Sequence, residues 1–262
     1  MKKIYLLFVM AIFLFLQAQG QGAGDFRSKT GGTGNWNDFN AWERYDGINW
    51  VAAISGELPT PTSVTEIQTG HTMTINAIGL VTGNLTVNGS LTYIATPASA
   101  LTVSGNVTVN ASGSFTSPSS GTVVTHALNI GGSTATGVGG NLVVDGIFNM
   151  NVFSTSGVVV TFFGTPGNTI SGAGTTINFY SLIVNKGTNN TSILDVTSVI
   201  TIVSPTTTGT RLTIAAGTFK LSSASSLSPY YGEQVICQGI GRLWLNHASA
   251  LVQRVGSGTS AV

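Results

Sequence analysis

Charge is what this sequence has least of. Asp, Glu, Lys and Arg make up 7% of its 262 residues, against roughly 25% in ordinary soluble domains. The formal net charge is only +1, so the chain offers no electrostatic footprint for nucleic acid or for an anionic membrane surface. Low charge together with 42% hydrophobic residues also argues against intrinsic disorder, which needs low hydrophobicity and high net charge. Cysteine is nearly absent. Cys237 stands alone, so no intrachain disulfide can form, and packing and backbone hydrogen bonds must hold the chain together. Its setting in the alternating stretch "EQVICQG" reads as a small buried core position.

Catalytic groups are equally sparse. Between Glu66 and Lys186 the only charged residue is Asp145. Glycoside hydrolysis needs two carboxylates flanking one bond, about 5 to 10 Å apart, and most of the chain cannot supply them. Asp145, in an Asp-Gly turn, and Asp195 read as turn-capping residues. His71, His126 and His247 are isolated, none at the spacing of a zinc motif. Asp38, Glu43 and Asp46 form the one acidic cluster, but "NDFNAWERYDG" lacks the alternating oxygen ligands of a calcium loop. The expectation is a chain that is not an enzyme, takes no cofactor and carries no metal.

Long hydrophobic runs are missing except at the start. "MKKIYLLFVMAIFLFLQAQGQ" has basic residues Lys2 and Lys3, an apolar run over residues 4–16 and small residues before Gln21. The run falls short of the roughly 20 residues needed to span a bilayer, and the pattern is that of a secretory signal peptide over residues 1–20. The mature chain is therefore expected to be secreted or cell-surface and not an integral membrane protein.

What fills the rest is glycine, at 34 residues, with Thr, Ser, Asn and short apolar alternations. "HTMTIN", "NLTVN", "SLTYI", "NVTVN", "NLVVD" and "SLIVN" are strands with one buried face, separated by residues suited to tight turns. No segment keeps helical periodicity over three turns. "GNLTVNG" at Gly83 returns as "GNVTVNA" at Gly105 and "GNLVVDG" at Gly140. Such a recurrence suits an all-β fold, a right-handed parallel β-helix whose coils each match the one beneath. Tandem β-sandwiches are the alternative. Residues 64–262 would form the solenoid. Residues 21–63, which concentrate Trp36, Trp42 and Trp50, would form an aromatic N-terminal cap. The same three tryptophans are also a candidate carbohydrate contact.

Two segments carry a resemblance. "GNWND…AWE…LPTPTSVTEIQTGHTMTIN" resembles the opening of many large β-solenoid surface proteins exported by Gram-negative bacteria, and "VTFFGTPGNTISGAGTTINFYSLIVNKG" is similar to a second segment of them. Together they cover about a third of the chain. The resemblance implies an adhesin-like parallel β-helix, of a kind that often ends in a type IX secretion sorting domain. This chain stops at "VQRVGSGTSAV" without such a domain, so it is expected to be the front part of a longer protein.

The functional expectation is a non-enzymatic structural or adhesive segment of an exported cell-surface protein, with a carbohydrate-binding or carbohydrate-active β-helix as the alternative. Its partners would be a glycan or another surface protein, and an uncapped C-terminal coil near "RLWLN" would associate with another copy. Ice binding would require a regular Thr-x-Thr face; in sequence, "HTMTI" offers a single such pair.

Overall fold

The computed structural model describes residues 21–29, 31–153, 155–202, 209–224, 226–227, 233–249 and 251–252. The signal-peptide reading at residues 1–20 lies outside them. The strands alternate as the sequence predicts: in Asn84–Val87 the side chains of Leu85 and Val87 are buried while Thr86 stays partly exposed. Alternation leaves each strand with one apolar face, and burying that face stabilises by about 1.5–3 kcal/mol per large aliphatic side chain. Successive strands turn a corner after each short segment, so they close into coils instead of hairpins.

Three large sheets result, here called A, B and C, of 11, 7 and 7 strands, and Ser226–Leu227 pairs with Leu251–Val252 in a separate two-stranded sheet. From Val64 to Ala216 each coil supplies one strand to each sheet in the order A, B, C. The coil of Val64–Ile67, Thr72–Ile75 and Leu80–Thr82 is followed by Asn84–Val87, Ser90–Tyr93 and Ala100–Val103, and so on. Pairing from coil to coil is parallel throughout. This is a parallel β-helix, and tandem sandwiches, whose sheets would be antiparallel, are not what forms.

The recurring Gly-Asn turn marks the coil register. Thr65 pairs with Leu85, Leu85 with Val107 and Val107 with Leu142, so the advance per coil is 20, 22 and then 35 residues. The longest coil places its extra residues in corner loops on either side of His126–Ile130. At the corner leading into sheet A the turns interlock. The Asn84 Oδ1 accepts from the backbone N–H of Asn106 at 2.8 Å, Asn106 Oδ1 from Asn141 at 2.9 Å, and Asn141 Oδ1 from Thr169 at 2.9 Å. A Cβ at Gly105 or Gly140 would overlap Asn84 Oδ1 or the carbonyl oxygen of Gly105. The Gly-Asn pair recurs because the coils approach too closely there for any side chain.

Inside, like residues stack on like. Phe115, Phe148 and Phe179 form a ladder with ring centroids 5.7 and 5.4 Å apart, and Tyr93 lies on Phe115 at 6.0 Å. The N-terminal segment contributes more than a lid. Phe26–Ser28 pairs parallel with Val64–Ile67, and Thr33–Asn35 with Thr72–Ile75, so both already extend the stack. Trp42–Tyr45 and Trp50–Ala52 then fold back antiparallel and finish sheet A at that end. At the other end Cys237 is exposed, contrary to the buried position its alternation suggested. It continues the inward register of Ile214, but among the described residues no strand of sheet C lies beyond Glu233–Cys237 to cover it.

Candidate functional site

The three tryptophans do not share a surface. Trp36 and Trp42 are 1% and 0% exposed. They meet edge to face at 5.1 Å, and the Trp42 Nε1–H donates to the Trp36 carbonyl at 2.8 Å. An indole whose N–H is satisfied by backbone can be buried whole, and this pair is core, which corrects their reading as sugar contacts. Trp50 differs. It is half-buried, with the Arg27 guanidinium 4.5 Å above its ring and Tyr45 5.4 Å away. Arg27 is itself held by Glu43 at 2.7 Å.

Beside Trp50 lies a shallow cleft of about 270 Å³, lined also by Asp25, Phe26, Glu66, Thr86 and Asn88. Glu66 accepts from Asn88 Nδ2 at 2.7 Å, and Asn88 in turn accepts from Asn110. Asp25 is committed to the fold, accepting from the backbone N–H groups of Gly22 and Val64 at 2.6 and 2.8 Å. The cleft thus combines an indole, a carboxylate, an amide and a hydroxyl.

The remaining candidate residues sit in structural roles. Asp145 Oδ1 accepts from the backbone of Ala173 at 2.9 Å, and Asp195 pairs with Lys220 at 2.8 Å. Asp38 accepts from Asn40, while two backbone N–H groups, of Asn49 and Ile48, hold the Asp46 carboxyl below the usual carboxylate range. His71 Nδ1 meets Ser28 Oγ at 2.8 Å where the first coils join. Among the described residues no three His, Cys, Asp or Glu side chains gather as a metal site, and no helix is long and apolar enough to cross a membrane.

The burial of two titratable groups was not legible in the sequence. His126 is 1% exposed inside the stack. Its Nδ1 accepts from the Ser99 backbone N–H at 3.2 Å, which places the ring proton on Nε2, facing Ser156 Oγ at 3.3 Å. Burial holds its pKa below the ordinary value. Ser99 and Ser156 are buried with it, so this serine-histidine contact is closed to substrate. Lys186 is 0% exposed. Its Nζ donates to the Phe163 carbonyl at 3.1 Å and to Asn168 Oδ1. Burial lowers its pKa to about 8.

The outer face of sheet B carries a feature that the sequence did not reveal. One column runs Thr33, Thr72, Ser90, Ser114, Ile147, Thr176, each paired to the next. Two residues along each strand, a second column runs Asn35, Thr74, Thr92, Thr116, Asn149, Asn178, Thr201. Neither column contains a charge or an aromatic ring. Both are partly or fully exposed along their length, and sheet B pairs without a register shift, whereas sheet C has two. "HTMTI" is therefore one rank of a series and not an isolated pair. The series stays hidden in sequence because the loops between ranks differ: the first column advances by 18, 24 and 33 residues from Thr72 to Ile147.

No protein-family model matches the chain, and neither the curated proteins nor the solved structures yield a match.

Proposed function

We propose that this chain is a non-enzymatic structural or adhesive segment of an exported cell-surface protein. The observation that supports this reading best is the unbroken coil register of sheets A and B among the described residues, with several carboxylates tied to the fold. Asp25, Asp145, Asp195 and Glu43 each hold a backbone or ion-pair partner. A rod built this way offers faces, not a reaction centre. Protease shaving of intact cells that express the native protein tests the placement. Release of its peptides before lysis is the expected result, and protection until lysis would sink it.

The Trp50 cleft favours a second reading, contact with a neutral glycan. On a glycan array, Trp50→Ala is expected to lower binding at least about tenfold, a loss of ~1.4 kcal/mol, with the melting temperature little changed. Trp42→Ala serves as the contrast, because it should unfold or destabilise the protein by about 3–5 kcal/mol. Binding that survives Trp50→Ala rules the cleft out.

A further inference from the structure

We infer that the outer face of sheet B binds the ordered water lattice of ice. Its two columns repeat at about 4.8 Å from coil to coil and about 6.6 Å between alternate residues of a strand. The centre of the face is the most uniform part, with Thr72 and Thr74, Ser90 and Thr92, and Ser114 and Thr116 forming three ranks of paired hydroxyls. Thr116 Oγ1 donates to Thr92 Oγ1 at 3.3 Å, which orients this pair of hydroxyls along the column. Outward Thr side chains on a strand have few χ1 choices, so the array is set before any ligand arrives.

The choice of occupant follows from what each group on the face can gain. A surface hydroxyl exchanges one hydrogen bond to water for another, so its net gain on meeting a soluble sugar is small. Sugar rings are gripped by aromatic faces, and neither column holds one. Charged side chains would keep their own hydration shells, and none is present. A ligand suited to such a face must touch many weak positions at once, at a fixed repeat, without displacing the water that the hydroxyls already hold. Ice meets those conditions, because its surface is water in a repeating array and the small gain at each rank adds across coils. Ile147 breaks the first column, and Asn149 and Asn178 replace hydroxyls with amides in the second, so activity should concentrate between Thr72 and Thr116.

The test is uptake of the purified protein into a slowly growing ice hemisphere, together with inhibition of grain growth in polycrystalline ice. The wild-type protein is expected to enter the ice and slow grain growth. Thr92→Lys and Thr116→Lys, each verified as folded by circular dichroism, should each raise the concentration needed by roughly tenfold or more. Thr108→Lys, on the outer face of sheet A, should leave it unchanged. Exclusion of the wild-type protein from ice overturns the inference, and so does full activity in both sheet B variants. Sedimentation with microcrystalline cellulose or chitin that depends on Thr92, without ice uptake, also overturns it and assigns the face to a polysaccharide. Should either lysine variant misfold, Thr92→Val, which keeps the shape and removes the hydroxyl, replaces it, and retention of activity there likewise counts against hydroxyl ordering.

Discussion

His126 is the residue through which acidity should reach the core. Its Nδ1 is an acceptor for the Ser99 N–H, so adding a proton both charges a buried ring and removes that acceptor. Burial depresses its folded pKa below the unfolded value of 6.5. The unfolded chain therefore binds the proton more readily, and the histidine's contribution is complete above that value and is lost as pH falls below it. Urea melts across this range should show a falling midpoint in the wild-type protein. Replacement by Gln, which cannot take the proton, should flatten that dependence. Lys186 works in the same direction at the alkaline end: its pKa is near 8 in the fold and 10.5 outside it, so stability rises as pH climbs between the two. Neither residue was legible beforehand, because an isolated His or Lys in an alternating stretch does not say which way it points until the neighbouring coil fixes the corner beside it.

At the scale of strands and turns, the Gly-Asn corner is where sequence and structure agree most closely. Asn84, Asn106 and Asn141 were readable because turn residue and strand travel together in each repeat, and the ladder joins them directly. Asn106→Ala removes the acceptor for the Asn141 N–H at an exposed corner, where water can substitute. The expected cost is about 0.5–1.5 kcal/mol. Gly140→Ala forces a methyl group into the Gly105 carbonyl, and overpacking of that kind should cost about 1–3 kcal/mol. Chemical denaturation of the two variants checks the order, and an Asn106 effect larger than the Gly140 effect would contradict this account of the corner. The polar columns of sheet B were illegible for the opposite reason. Their members pair only through the register, and the intervening loops vary too much for a fixed repeat to show.

For the whole molecule, the two ends of sheet A differ. One is finished by the antiparallel strands Trp42–Tyr45 and Trp50–Ala52. The other is the Arg242–Leu245 strand, beyond which no described strand pairs, with Trp244 and Leu245 exposed. An open strand edge beside apolar side chains is a template for another chain. The purified protein is accordingly expected to self-associate with rising concentration in sedimentation velocity, and Leu245→Lys should weaken that association. A strictly monomeric boundary across a wide concentration range would dismiss it. The all-β class and the parallel stack were both readable from alternation and repetition. The last strand of sheet A among the described residues falls at "RLWLN", and the participation of residues 26–35 in the stack was not readable, since no repeat motif marks them.

The finished end of sheet A also gives the molecule a direction in time. A parallel strand holds its place only when another strand already lies beside it, so a stack of coils needs a first surface on which to begin. In sheet A, Phe26–Ser28, backed by the antiparallel strands Trp42–Tyr45 and Trp50–Ala52, supplies that surface, while every later coil must borrow one from its predecessor. These strands come early in the chain and are synthesised before the coils that depend on them. Folding can then proceed as deposition, one coil on the last, and a chain interrupted partway would leave finished coils behind it in place of a collapsed whole.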